Sequence, residues 1–154
     1  MNNNILSILK PKAMISYIHE DTTVRQAIEK MRRHKFTAVP VINSRGEFVK
    51  ALAEGDFLWF MLQNEIYDLS GLEHYLVSDI PKRVMCEPVS VSSTMGDLFR
   101  LSMNQNFVPV TDDRGIFIGI VTRRDILQIC YDELHDSGKL DVRPEYELNE
   151  TGGR

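Results

Sequence analysis

The chain is poor in the residues that most readily betray chemistry. It has 2 cysteines, 1 tryptophan and 4 histidines in 154 residues. Cys86 and Cys130 cannot build a disulfide framework, and the expectation is two free thiols in a reducing cytoplasm. His19, His34, His74 and His135 show no metal-ligand spacing with them. There is no Gly-rich phosphate loop of the P-loop type and no arguable Ser/His/Asp order, so catalysis is not expected. Positive charge is also scarce: 18 basic against 22 acidic residues leave a net −4, which argues against a bulk polyanion binder. The longest apolar run, Phe57-Leu58-Trp59-Phe60-Met61-Leu62, is far too short to cross a bilayer. Met1-Asn2-Asn3-Asn4-Ile5 lacks the basic start and apolar core of a signal peptide, and a cytoplasmic location is expected.

What is present is an ordinary globular composition, 43% apolar and 26% charged, arranged as an internal repeat. Val39 to Leu58 laid over Val108 to Leu127, an offset of 69, gives 8 identities in 20 positions. Average composition gives roughly one. Upstream the offset becomes 71, pairing Met14 with Met85, Thr23 with Thr94 and Phe36 with Phe107. The second copy is thus two residues shorter ahead of its Val-Pro-Val strand, and Thr37 and Ala38 are expected to lack counterparts there.

Each copy reads as strand, helix, strand, strand, helix. Ile15, Tyr17 and Ile18 begin a short strand, and Thr22 or Thr23 caps a helix with apolar Val24, Ala27, Ile28 and Met31 at helical spacing. Phe36 to Ile42 and Phe48 to Leu52 form a hairpin about Asn43-Ser44-Arg45-Gly46, repeated at Thr111 to Gly115 and Ile116 to Val121. Asp56 and Asp125 stand where an N-cap is expected, before helices over 57–63 and 126–134. One copy alone is of marginal size for a core. The predicted fold is therefore α/β (α+β), two repeats packed as a pseudo-two-fold pair: repeat 1 over 5–62, a linker over 63–80, repeat 2 over 81–134, and a polar, disordered tail over 135–154.

This order resembles a tandem pair of CBS domains, a Bateman module. The resemblance rests on Gly119-Ile120-Val121-Thr122-Arg123-Arg124-Asp125-Ile126-Leu127, on Val84-Met85 and on Thr37-Ala38-Val39-Pro40-Val41, and it covers roughly residues 10–134. It implies a regulatory adenine-nucleotide ligand, with no cofactor required, in the cleft between copies. On chemistry alone, Asp125 can accept both hydrogens of a ribose diol, Thr122 offers a hydroxyl, and Arg123 and Arg124 offer guanidinium forks for phosphate. The family pattern carried onto this chain sets Met14, Ser16 and Ile18, with Thr37, Ala38, Val39 and Pro40, as the opposite wall. Small Ser16 and Ala38 leave room for a flat base.

The matching string in the first copy is Ala53-Glu54-Gly55-Asp56, which loses the hydroxyl and sets a carboxylate where an arginine stands. One competent cleft is expected, not two, with Asp56 acting as a helix cap. The basic run Lys30 to Lys35 is read as complementing a helix dipole, or else as a landing patch for phosphates or an acidic partner. The run over 57–62 is apolar nearly all round, so one face is expected to meet a second copy, giving a homodimer through the second helices of the repeats. The leading expectation is a stand-alone module that senses AMP, ADP, ATP or cyclic di-AMP and signals to a separate, unknown target protein. Stand-alone CBS pairs similar to this chain include cyclic di-AMP receptors of Gram-positive bacteria. The alternative is a ligand-free interaction scaffold. Membrane binding is not expected, and nucleic-acid binding is disfavoured by the net charge.

Overall fold

The computed structural model describes residues 4–35 and 37–140. Strands are β1 (Lys10–Pro11), β2 (Ile18–His19), β3 (Ala38–Ile42), β4 (Phe48–Ala53), β5 (Val89–Ser90), β6 (Phe107–Thr111) and β7 (Phe117–Thr122). The α-helices are α1 (Val24–His34), α2 (Glu54–Gln63), α3 (Met95–Ser102) and α4 (Arg123–Asp136). They form two sheets, ordered β2-β3-β4 and β1-β7-β6-β5. In each copy the first strand pairs parallel with the Val-Pro strand, which pairs antiparallel with the next. The same register shift falls at Val41/Ile42 and at Val110/Thr111, so the repeat extends to a bulge.

Local chemistry sets these elements. Thr23 caps α1 reciprocally: its Oγ1 accepts from the Gln26 amide and Gln26 Oε1 accepts from the Thr23 amide, both at 3.2 Å. Thr94 and Asp97 do the same for α3. The hairpins turn on one device. Asn43 Oδ1 accepts from the amides of Arg45 and Glu47, Asp112 Oδ1 from those of Arg114 and Ile116, and Gly46 and Gly115 take φ near 80°.

Two apolar cores result. The first gathers Val24, Ala27 and Met31 of α1, Val39 and Val41 of β3, Leu52, and Phe57 and Phe60 of α2. Ile66, Leu72, Val77 and Ile80, from the segment expected to be a linker, are buried in that core. Lys50 ties the same segment down, its buried Nζ donating to the carbonyls of Val77 and Ile80. The second core holds Leu98, Leu101, Val108, Val110, Val121 and Ile126, together with Ile5 from the other end of the chain.

That exchange follows from one register position. Lys50 of β4 corresponds to Gly119 of β7, opposite Val41 and Val110 respectively. At Gly119 an added Cβ would lie 2.2 Å from the Lys10 carbonyl oxygen. The glycine lets β1 pair with β7, while in the first copy the lysine reaches out to the linker. Further bridges join the copies: Glu47 pairs with Ile116, and the Phe117 amide donates to the Gly46 carbonyl at 2.9 Å.

Three expectations are corrected. Asp56 and Asp125 are not N-caps: Ala53 and Thr122 are, and the aspartates lie in the first turn three residues on, because both helices start earlier than the apolar pattern shows. Thr37 and Ala38 do have counterparts. Ala38 faces Ala53 as Phe107 faces Thr122, and the Thr37 and Asn106 carbonyls accept from the Glu54 and Arg123 amides. The missing residues fall in the first helix, 11 residues in α1 against 8 in α3. The tail expected from residue 135 begins with helix to Asp136, and Leu140 donates back to the Leu134 carbonyl. Residues 141–154, like Phe36, lie outside the described residues.

Candidate functional site

The site builds from the junction of β7 and α4. Thr122 ends the strand and caps the helix, its Oγ1 accepting from the Asp125 amide at 3.2 Å. The Thr122 hydroxyl donates to Asp125 Oδ2 at 2.5 Å. Because β1 pairs with β7, Lys10 comes alongside, and its Nζ lies 3.1 Å from the same Oδ2. Burial alone would raise the Asp125 carboxyl, but the Thr122 hydroxyl and the Lys10 ammonium outweigh it and hold the group below its usual range. Both bonds fall on Oδ2, which leaves Oδ1 without a polar partner among the described residues. Lys10 was missed by the sequence reading. Nothing local marks it, since its partner lies at the far end of the repeat.

The two arginines diverge. Arg123 Nε donates to the carbonyls of Ser102 and Gln105, at 2.8 and 3.1 Å, and so closes the end of α3 and the loop after it. The Nε edge of the guanidinium expected to meet phosphate is therefore engaged within the chain. Those carbonyls have left the helix ladder, and Arg123 is the donor within reach. Arg124 is exposed, with no such bond, and lines a surface groove together with Arg123, Leu127 and Tyr131.

The expected opposite wall is mixed. Met14 is 80% exposed at the end of a 3-10 turn, Lys12–Met14, that packs on β7, and Ser16 follows half-buried. Thr37 is exposed at the start of β3. Ile18 and Val39 are buried in the first core and Pro40 is buried in β3, so only their backbone can meet a ligand.

Ala38 also lines the other cleft. A cavity of about 130 Å³ is lined by Ala38, Ala53 and Asp56 of the first copy and by Met85, Cys86 and Phe107 of the second, among others. Asp56 is buried and its Oδ2 accepts from the Ala53 amide at 2.7 Å. Among the described residues no lysine or arginine lines this cavity. Glu54, the carboxylate that stands in the place of an arginine, is exposed beside Arg32 and Lys35. Burial pushes the Cys86 thiol up to about 11, which keeps it protonated and unreactive.

Two similar sheets, each closed by a helix whose first turn carries an aspartate, define a paired-repeat α/β fold. The chain belongs to the CBS domain family, whose model matches residues 6–62 and 77–132. An uncharacterised protein of Methanocaldococcus jannaschii is 22% identical over 148 residues, covering 89% of this chain; the chain spans about half of that relative, 52%. Among solved structures, CbpB in complex with c-di-AMP superposes with a TM-score of 0.75 at 19% identity, covering 88% of this chain and 89% of that one. CBSX2 in complex with AMP superposes at 0.67 and 24% identity, covering 86% and 98%. Among the described residues no helix is long and apolar enough to cross a membrane.

Proposed function

We propose that this chain is a regulatory module that binds an adenine nucleotide, AMP, ADP, ATP or cyclic di-AMP, in the cleft flanked by Asp125. Binding there changes how the two copies or two subunits pack, and a separate protein reads the change. The observation that carries this reading is the Asp125 carboxylate, kept ionised by Thr122 and Lys10 with one oxygen still open to a ribose diol. Thr122 and the amides of the first turn of α4 complete that wall, with the backbone from Ser16 to Ile18 and from Thr37 to Pro40 opposite. The solved neighbours that hold c-di-AMP and AMP support the ligand class. The module acts by binding rather than by catalysis. Any switch requires that the ligand prefer one packing over the other.

The scaffold reading draws on the same pair, since Lys10 already neutralises Asp125 without a ligand. Thermal unfolding with each nucleotide separates the two. At about 100-fold over Kd a ligand adds about 2.7 kcal/mol. For a chain of this size that raises Tm by roughly 5–10 °C. A flat response to the whole panel would leave the scaffold standing.

A further inference from the structure

Two lysines, Lys12 and Lys30, meet where the N-terminal segment crosses from the second sheet to the first, and Lys10 lies two residues before the first of them. Lys10 is paired with Asp125. Lys12 and Lys30 are not: neither has a carboxylate within ion-pair distance among the described residues. Both nevertheless converge on one ring. Lys12 Nζ lies 4.8 Å and Lys30 Nζ 5.5 Å from the centroid of Tyr17. Lys30 Nζ also donates to the Tyr17 carbonyl at 2.6 Å.

The ring itself is fixed. Tyr17 packs edge-on against His19 of its own copy and Phe117 of the other, at 5.7 and 6.4 Å between centroids. A π face attracts cations but cancels none of their charge. Two ammonium groups beside one ring raise the positive potential there, and an anion beside them lowers it. The position is beside Asp125: Lys12 opens the turn that packs on β7, two residues after Lys10, the ion-pair partner of Asp125. The second copy lacks the arrangement. Its residues at the positions of Lys12, Tyr17 and Lys30 are Arg83, Pro88 and Leu101. Arg83 lies over Trp59 instead, and Leu101 is in the core.

We infer that Lys12 and Lys30 form an anion seat beside Tyr17 that takes the phosphate of the ligand in the cleft flanked by Asp125, the task the sequence assigns to Arg123 and Arg124. Where this names the ligand it rests on the nucleotide reading, but the seat can be tested without it. The full chain and its Lys12→Gln/Lys30→Gln variant are titrated with inorganic pyrophosphate, followed by ³¹P line width, and with AMP and adenosine by calorimetry. The expected result is pyrophosphate and AMP binding at least tenfold weaker in the variant, with adenosine unchanged. Lys30→Gln alone, at an exposed side chain, should show a partial loss and covers the case of a misfolded double variant. Pyrophosphate that ignores the wild-type chain, or binds the variant equally, overturns the seat even where adenosine binds. Pyrophosphate bound through the lysines with no adenosine binding upholds the seat and defeats the nucleotide reading.

Discussion

Asp56 and Asp125 occupy the same turn of equivalent helices, yet their surroundings make them different groups. Asp56 is buried and accepts from the Ala53 amide, and among the described residues no lysine or arginine lines its cavity. Asp125 is 29% exposed and lies between a hydroxyl and an ammonium. Its carboxyl is held below the usual value of about 3.9. A depressed folded-state value means the stabilisation is present above the unfolded value and is lost as pH falls through the folded one. A carboxyl NMR titration should place Asp125 below ordinary aspartates, and Lys10→Met should move it up; no movement would break the proposed coupling. Asp125→Ala should weaken nucleotide binding by about 1.5–3 kcal/mol, the range for hydrogen bonds to a charged group. Asp56→Ala should instead lower Tm, by leaving the Ala53 amide without its acceptor, with affinity kept. Equal affinity losses at both would sink the one-cleft reading. Thr122 and Asp125 were legible because three residues bring them onto one helical turn. The orientation of Arg123 was not, because it depends on where α3 ends.

The elements show the same division. Capping threonines, the Val-Pro strands and the Asn/Asp-to-Gly hairpins were readable, since each is decided within a few residues of itself. The early starts of α2 and α4 were hidden because Glu54, Gly55, Arg123 and Arg124 are polar or small and carry no apolar signal. The pairing of β1 with β7 was hidden too, since two residues of strand have no periodicity to detect. Its cause is a glycine whose function appears only when the neighbour is known. In Gly119→Ala the new Cβ would meet the Lys10 carbonyl at 2.2 Å and Leu9 Cδ1 at 2.9 Å, and backbone must move. The expected outcome is faster amide exchange across residues 5–12, a lower Tm and weaker nucleotide binding, because Lys10 and Lys12 leave with the strand. Gly115→Ala, with nothing within 4 Å, should affect only its own turn. Protection of residues 5–12 unchanged in Gly119→Ala would show that β1 is held by its apolar anchors Ile5 and Leu9 alone.

At the scale of the molecule, the inward faces of the two sheets are used within the chain, but two helix faces are not. α2 shows Leu58, Trp59 and Leu62 at 46–53% exposure, and α4 shows Leu127, Tyr131 and Leu134 at 42–60%. In both cases the spacing places them along one side of the helix, and these are the second helices of their copies. Large apolar side chains gathered in two parallel places exceed the scattered exposure of a typical monomer surface. They fit an isologous contact, in which each face serves both subunits. Light scattering of the purified chain should therefore give about twice 17.7 kDa. Leu62→Glu with Leu127→Glu should give the monomer at the same concentration. Because both side chains are half-exposed or more, the secondary structure by circular dichroism should stay as it was. A wild-type chain that already runs as a monomer would refute the dimer, and would assign those faces to the separate protein that reads the module. Nucleotide titration of the monomeric variant then decides where the signal goes. Affinity retained with the dimer lost means that the cleft is complete within one chain and that subunit packing is the output.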